Sequence, residues 1–200
     1  MATPTSATGG VLPPVPPLPI DDEALDAVFQ SLVASITGLD GTLVRPRWQP
    51  VPPKQPPPAT NWCAVAVVNV QPDAGPWIDY IAATNTSIEW DHEELTLLVS
   101  FYGPNAASFA RLLRLGIAIP QNWESLTAQQ IAYVTCDAIR KVPELVNQQW
   151  IIRQDLSLTF RRKVEMTYAV QNLLLADINL IDDTTVDDTI IVPPGSPWSP

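Results

Sequence analysis

Two hundred residues, 46% apolar and 16% charged, supply one core of about 150 residues plus tails, and the low charged fraction leaves neutral surface suited to burial against other subunits. With 21 acidic against 11 basic residues the net charge is −10, which disfavours non-specific binding to nucleic acid or to an anionic membrane. No apolar run approaches the ~20 residues that span a bilayer, no signal-peptide pattern opens the chain, and Cys63 and Cys136 form no disulfide framework and read as buried free thiols, so a soluble protein made in the cytoplasm is expected.

Residues 1–20, MATPTSATGGVLPPVPPLPI, are low in complexity and then rich in proline, which predicts a flexible or polyproline-like arm. The run PPVPPLP has the form of an SH3-type ligand, but among so many proline tracts it reads as a spacer. Asp21 and Asp22 then cap a helix. Leu25, Val28, Phe29, Leu32, Val33 and Ile36 form its single apolar stripe, its acidic first turn suits the helix dipole, and Gly38 stops it. Prolines crowd residues 46–58 and argue against helix and sheet interior, so an extended loop is predicted over 45–60. It is either a surface linker or an arm laid on a neighbouring subunit, with Arg45, Arg47 and Trp48 as anchors.

WCAVAVVNV (62–70) is continuously apolar, as expected of a strand buried on both faces. At least one shorter strand is predicted within 77–90, and ELTLLVSFY (94–102) alternates as a half-buried strand. Gly103, Pro104 and Asn105 break that strand and start a helix over 105–115, whose core face is Ala106, Phe109, Ala110 and Leu113 and which Gly116 ends. SLTAQQIAYV (125–134) predicts a second, shorter helix with Ser125 as N-cap. A strand pair follows near Cys136–Val142 and Gln149–Val170. In the long strand Leu156, Leu158, Phe160, Val164, Met166, Tyr168 and Val170 share one face and the polar residues the other. Only Arg162 breaks this pattern, which predicts a bulge or an exposed end. LLLADINLI (173–181) reads as a last strand, and the acidic, then proline-rich tail holds one short patch able to pair, Thr189–Val192. The fold class is therefore α+β: a mixed, mainly antiparallel sheet flanked by two or three helices, with an extended proline-rich N-terminal arm and an acidic C-terminal arm.

A catalyst needs activated groups held together, and the candidates are few. His92, the sole histidine, lies in WDHEELT, where Glu94 is the one residue alternation brings to its side; two ligands make a poor metal site, so a solvated strand start is the better reading. GxSxG, HExxH, GxxxxGK[ST] and GxGxxG are all missing, and the pairs Asp182–Asp183 and Asp187–Asp188 lie in the tail. No enzyme, no cofactor and no metal is expected. Arg153, Arg161, Arg162 and Lys163 form a basic cluster that could touch phosphate, pair with acidic patches of a neighbouring copy, or sit solvated on a strand face; the net charge favours the protein partner. Seven tryptophans are many. Trp48, Trp77, Trp90, Trp123, Trp150 and Trp198 fall near element ends or in loops, where interface anchors are typical, and Trp62 opens a strand.

Five blocks occur in order: RPRWQPVPPKQPPPATNWCAV, HEELTLLVSFYGPNA, LRLGIAIPQNWESL, VPELVNQQWIIRQDLSLTFRR and YAVQNLLLADINL. Together they resemble the tail terminator (neck terminator) proteins of tailed bacteriophages over about residues 22–181. The resemblance implies a structural virion protein of the tail and neck, assembled in the host cytoplasm. It implies a homo-oligomeric ring, generally of six copies, on the head-proximal end of the tail tube, where it ends tube polymerisation. Its partners would be the tail tube protein, the tail sheath protein in contractile tails, and the head-completion or neck proteins; DNA would pass through the channel without specific binding, and no membrane is involved. The domain limits expected are 1–20 for the N-terminal arm, 21–182 for a single terminator-like α+β domain, and 183–200 for the C-terminal tail. The Gly103–Pro104–Asn105 corner would either hold each copy's contact surface in one geometry, so that exchanging Gly103 for Val and Pro104 for Ala reduces ring assembly more than folding, or be only an efficient turn, in which case both are lost equally. Expected interface residues are Arg45, Arg47, Trp48, Gly103, Pro104, Asn105, Trp123, Trp150, Arg153, Arg161, Arg162 and Lys163. Two other readings stay open: another neck or tail-completion ring protein, and a small-ligand or peptide-binding module using tryptophan-lined loops.

Overall fold

A computed structural model describes residues 11–51, 53–146 and 148–170, and the backbone of 177–181 and 187–191. In chain order it runs β1 (Pro14–Val15), α1 (Asp22–Thr37), a 3-10 turn (Gly41–Leu43), β2 (Val44–Pro46), β3 (Trp62–Pro72), β4 (Trp77–Ile81), β5 (Thr86–Tyr102) and α2 (Ala106–Gly116). A 3-10 segment (Pro120–Gln129) leads to β6 (Ile131–Cys136), β7 (Arg140–Lys141), β8 (Glu144–Val146), β9 (Gln149–Ile151), β10 (Arg153–Ala169), β11 (Asp177–Ile181) and β12 (Asp187–Ile191). The fold is α+β, as the sequence predicts.

The main sheet runs β1-β10-β5-β3-β2, with β4 added beside β5 and β6 and β7 beside β10. Every pairing in it is antiparallel except β2 with β3, which makes the sheet mixed. β5 and β10 pair without interruption from Arg153 opposite Tyr102 to Ala169 opposite Thr86. β3 and β4 lie end to end along the other side of β5, separated by a break at Asp73–Pro76. Seventeen-residue strands at about 3.3 Å per residue reach about 55 Å, much longer than the two helices need for cover.

The core occupies the half of the sheet nearest α2. Leu95, Leu97, Val99 and Phe101 of β5 and Leu156, Leu158 and Phe160 of β10 are buried against Leu25, Phe29, Leu32 and Val33 of α1 and Ala106, Ala110 and Leu113 of α2. These are the stripes read from periodicity. Phe29 and Phe160 meet ring to ring at 4.9 Å. The helices cross closely because Gly116 lacks a side chain where Ile36 packs.

Several predicted elements take other forms. Residues 125–134 are no α-helix: a 3-10 segment ends at Gln130, whose φ of 55° reverses the chain, and the β-branched run that follows becomes β6. The strand expected at 94–102 starts eight residues earlier, so His92 lies mid-strand and half-buried, not at a strand start. WCAVAVVNV is buried on both faces only from Cys63 to Ala66; Val68 and Val70 are exposed. Pro46 sits within a strand, at the parallel edge where a missing N–H is tolerated. Pro14 and Val15 pair with Tyr168 and Thr167, tying part of the proline-rich segment to β10. Arg162 marks neither a bulge nor an exposed end: its pairing with β5 is continuous and it is 5% exposed. Cys63 is buried, its thiol pushed up to about 12 by burial, whereas Cys136 is only half-buried. Of the expected last strand and tail, β11 and β12 pair as a separate antiparallel hairpin; residues 171–176, Trp198 and the rest of the tail lie outside the described residues, as do residues 1–10.

Asp26 joins α1 to the sheet. The β3 register shifts between Val67 and Asn69, and the Val67 amide there donates to Asp26 Oδ1 at 2.9 Å. Burial raises the Asp26 pKa, the Val67 bond lowers it in part, and nearby Asp22 raises it again. A carboxyl with a raised folded pKa holds its proton more readily folded than unfolded, so it favours folding in acid and costs stability once pH climbs past the folded value. Asp26→Asn keeps an acceptor for Val67 and removes the charge. It should therefore be more stable than wild type near about pH 7, with the gap closing towards about pH 3, below the ordinary carboxylate value. Urea midpoints at the two pH values check this; a gap of the same size at both would refute the charge explanation.

Candidate functional site

The strand–helix corner is built from three residues with separate tasks. Gly103 has φ +103°, a conformation few side chains adopt. A Cβ built there would stand 2.6 Å from Thr60 O and 2.8 Å from Asn61 Oδ1, so the corner closes on the end of the proline-rich loop. Asn61 Oδ1 accepts from the Asn105 amide at 2.8 Å, which supplies the first turn of α2 with a partner from another segment. Pro104 and Asn105 are exposed.

The proline-rich loop is fastened to its own chain. Arg45 donates to Lys54 O at 3.0 Å and lies 5.9 Å from the Trp62 ring, which stacks on Tyr102 at 4.2 Å. Arg47 continues the β2–β3 ladder through its amide to Val65 O at 2.9 Å, and its Nη2 donates to Ser100 Oγ. Ser100, fully buried, donates to Asp155 Oδ1 at 2.5 Å, and Asp155 receives a two-pronged bond from Arg153 at 2.7 and 2.8 Å. Arg153 Nη1 reaches on to Glu144. Burial works against the Arg153 charge, but the Asp155 and Glu144 bonds outweigh it and hold the pKa above its usual value. A chain of ions thus closes the sheet face opposite the helices at the end nearest the corner. Trp48, by contrast, is 64% exposed.

The basic cluster finds its acids within the chain. Arg161 pairs with Asp73, Lys163 with Glu165 at 2.9 Å, and Arg162 with both Glu93 and Asp21 at 2.8 Å. Arg162 also donates to Ile20 O at 2.6 Å, so one buried guanidinium ties β5, the start of α1 and the N-terminal segment together. Alternation placed Arg161 and Arg162 on opposite faces, but no local signal announced that α1 would bring Asp21 to Arg162.

Little here resembles a reaction centre. His92 stands edge-on to Trp90 at 5.5 Å, and among the described residues no three His, Cys, Asp or Glu side chains gather as metal ligands. A groove of about 500 Å³ runs between residues 15–20 and β10, walled by Pro16, Leu18, Gln130 and Lys163. Among the described residues no helix is long and apolar enough to cross a membrane.

Uncovered apolar surface is the more telling feature. Trp77, Ile78 and Tyr80 on β4 are 62%, 65% and 42% exposed, and Trp150, on a separate two-stranded ribbon of β8 and β9, is 69% exposed. Trp123 is half-buried against the core, and Leu112, Leu115 and Ile119 stand out from α2 and the turn after it. Such surface marks places where other proteins sit. Residues 23–189 match the model of the phage neck terminator protein family. The chain belongs to that family. No curated protein matches it. As a neck terminator it is a structural protein of the phage neck and tail, a virion component that associates with other neck and tail proteins, and no enzyme. Sequence reasoning had missed the terminator's exposed apolar side chains on α2; the i, i+3 spacing of Leu112 and Leu115 was visible but was overshadowed by the core stripe beside it.

Proposed function

We propose that this neck terminator forms a closed ring, of six copies on the family's pattern, on the head-proximal end of the tail tube, where it ends tube growth and presents a surface to the head-completion proteins. In a contractile tail it would also hold the last sheath ring. The family match over residues 23–189 carries this reading. Two features of the fold support it. Uncovered apolar surface lies on β4 and, toward the other end of β5, on α2, as head-to-tail contacts require. The cations Arg153, Arg161, Arg162 and Lys163 are each neutralised by a carboxylate of the same chain, which suits a channel that DNA traverses without adhering.

Within this assembly Trp48, Pro104, Asn105 and Trp150 are the expected residues free to meet partners, while Arg45, Arg47, Gly103 and Arg162 serve by holding the chain's own shape. Light scattering after size exclusion, with negative-stain microscopy alone and with tail tubes, tests the reading. Rings seated at one end of the tubes are expected. A solitary chain at high concentration, indifferent to tube ends, would sink it.

A further inference from the structure

β4, the first half of β5 and the second half of β10 form a ribbon that runs past the helices. Alternation from the buried Arg162–Glu93 pair places Ile78, Tyr80, Glu89, Asp91, Met166 and Tyr168 on its helix-side face. No helix covers them there. The central strand β5 carries Glu89 and Asp91 on this face, between Ile78 and Tyr80 of β4 and Met166 and Tyr168 of β10, and among the described residues neither acid forms an ion pair.

The complement stands on α2. Ala106, Ala110, Leu113 and Ile117 are buried, yet Leu112 and Leu115 stand three residues apart on the outer side of the helix, 51% and 64% exposed, and Ile119 in the turn beyond it is 53% exposed. Arg111 and Arg114 flank these leucines, both exposed and, among the described residues, without a carboxylate partner. One surface is apolar and acidic, the other apolar and basic.

We propose that the helix-side face of the β4–β5–β10 ribbon in one copy docks on the outer face of α2 in the next. This rests on the ring reading and names its contact. Charge complementarity selects a second copy as the occupant: each surface offers what the other lacks, in equal number per chain. The same chain cannot satisfy both. α2 begins just beyond Tyr102 and the ribbon ends at Thr86, opposite ends of strands about 55 Å long, so the contact is head-to-tail and closes into a ring when the rotation between copies permits.

Charge exchange tests it. The full-length chains Arg111→Glu/Arg114→Glu and Glu89→Lys/Asp91→Lys should each run as monomers where wild type forms rings, with thermal midpoints close to wild type, since all four side chains are partly or fully exposed. The chain carrying all four exchanges restores opposite charge at every contact and should regain rings. A merely structural role for these residues would not produce that rescue. Rings that survive either double exchange, or quadruple chains that stay monomeric, overturn the docking while leaving the ring reading in place; so do double variants that form rings yet fail only to join tubes, which would assign α2 or the ribbon to a tail or head protein. Wild-type chains that never form rings, even with tube ends present, overturn both.

Discussion

Gly103→Val should lose about 3 kcal/mol or more of folding stability, a large share of what keeps a marginally stable domain folded. Two costs combine. Valine is a poor fit to φ +103°, where its branched carbons crowd the backbone, and the added Cβ would meet Thr60 O and Asn61 Oδ1 at 2.6 and 2.8 Å. Backbone atoms stand on the far side, so no rotamer change relieves the contact. Pro104→Ala, at an exposed position in the turn before the α2 N-cap Asn105, should stay within about 1 kcal/mol. Urea unfolding of the two variants separates these values. Similar losses for both would show that the corner depends on its stiffness and not on the glycine. The contacts at Gly103 therefore predict that its exchange costs folding first, whereas an effect on assembly alone is expected at the exposed Pro104 and Asn105.

The second large effect concerns Arg162, whose partners are unequal in burial. Glu93→Ala removes the acceptor that takes two of its bonds, at 3.0 and 2.8 Å, and leaves a guanidinium only 5% exposed with Asp21 and Ile20 O. A loss of about 2–3 kcal/mol is expected, because an under-paired buried charge keeps its desolvation penalty. Arg162→Met fills similar space with apolar atoms beside Phe160 and leaves the carboxylates nearer to water, so its loss should be smaller, about 1 kcal/mol. It has a distinct signature. With Arg162 gone, Ile20 O loses its donor, and amides in residues 14–20 should exchange faster while those of β5 keep their protection. Denaturation midpoints and hydrogen exchange check both parts. An Arg162→Met chain less stable than Glu93→Ala would mean that the ion cluster stabilises the fold outright.

How far the residues could be read depended on how local the cause was. α1 was plain because one helix face meets one core, and Leu25, Phe29, Leu32 and Val33 repeat at its period. The core half of β5 and β10 was equally plain, since one covered face and one open face make apolar and polar residues alternate. The ribbon half was blurred. Neither of its faces is covered by a helix, so the alternation of Ser87, Glu89 and Asp91 with Ile88, Trp90 and His92 did not say which face meets a core, and only a shorter strand was predicted within 77–90. Residues 125–134 misled for a different reason: Ser125 read as a helix N-cap, but the chain turns at Gln130 and brings Leu126 and Ile131 to the core from a 3-10 segment and a strand. The β-branched and aromatic run from Ile131 to Thr135 was the available warning.

Local pattern alone settled the α+β class, the apolar stripes, the strand–helix corner at Gly103 and the lack of any recognisable catalytic motif, because each depends on residues a few positions apart. Only the folded chain decided which charges answer one another. Arg162 meets Asp21 and Glu93, Arg47 meets Ser100, and Arg161 meets Asp73 across sequence gaps that no periodicity spans. It also decided that the acidic ribbon face and the basic flank of α2 lie toward opposite ends of β5. Electrostatic partners are chosen by proximity in space, and a chain acquires that only when its core has closed.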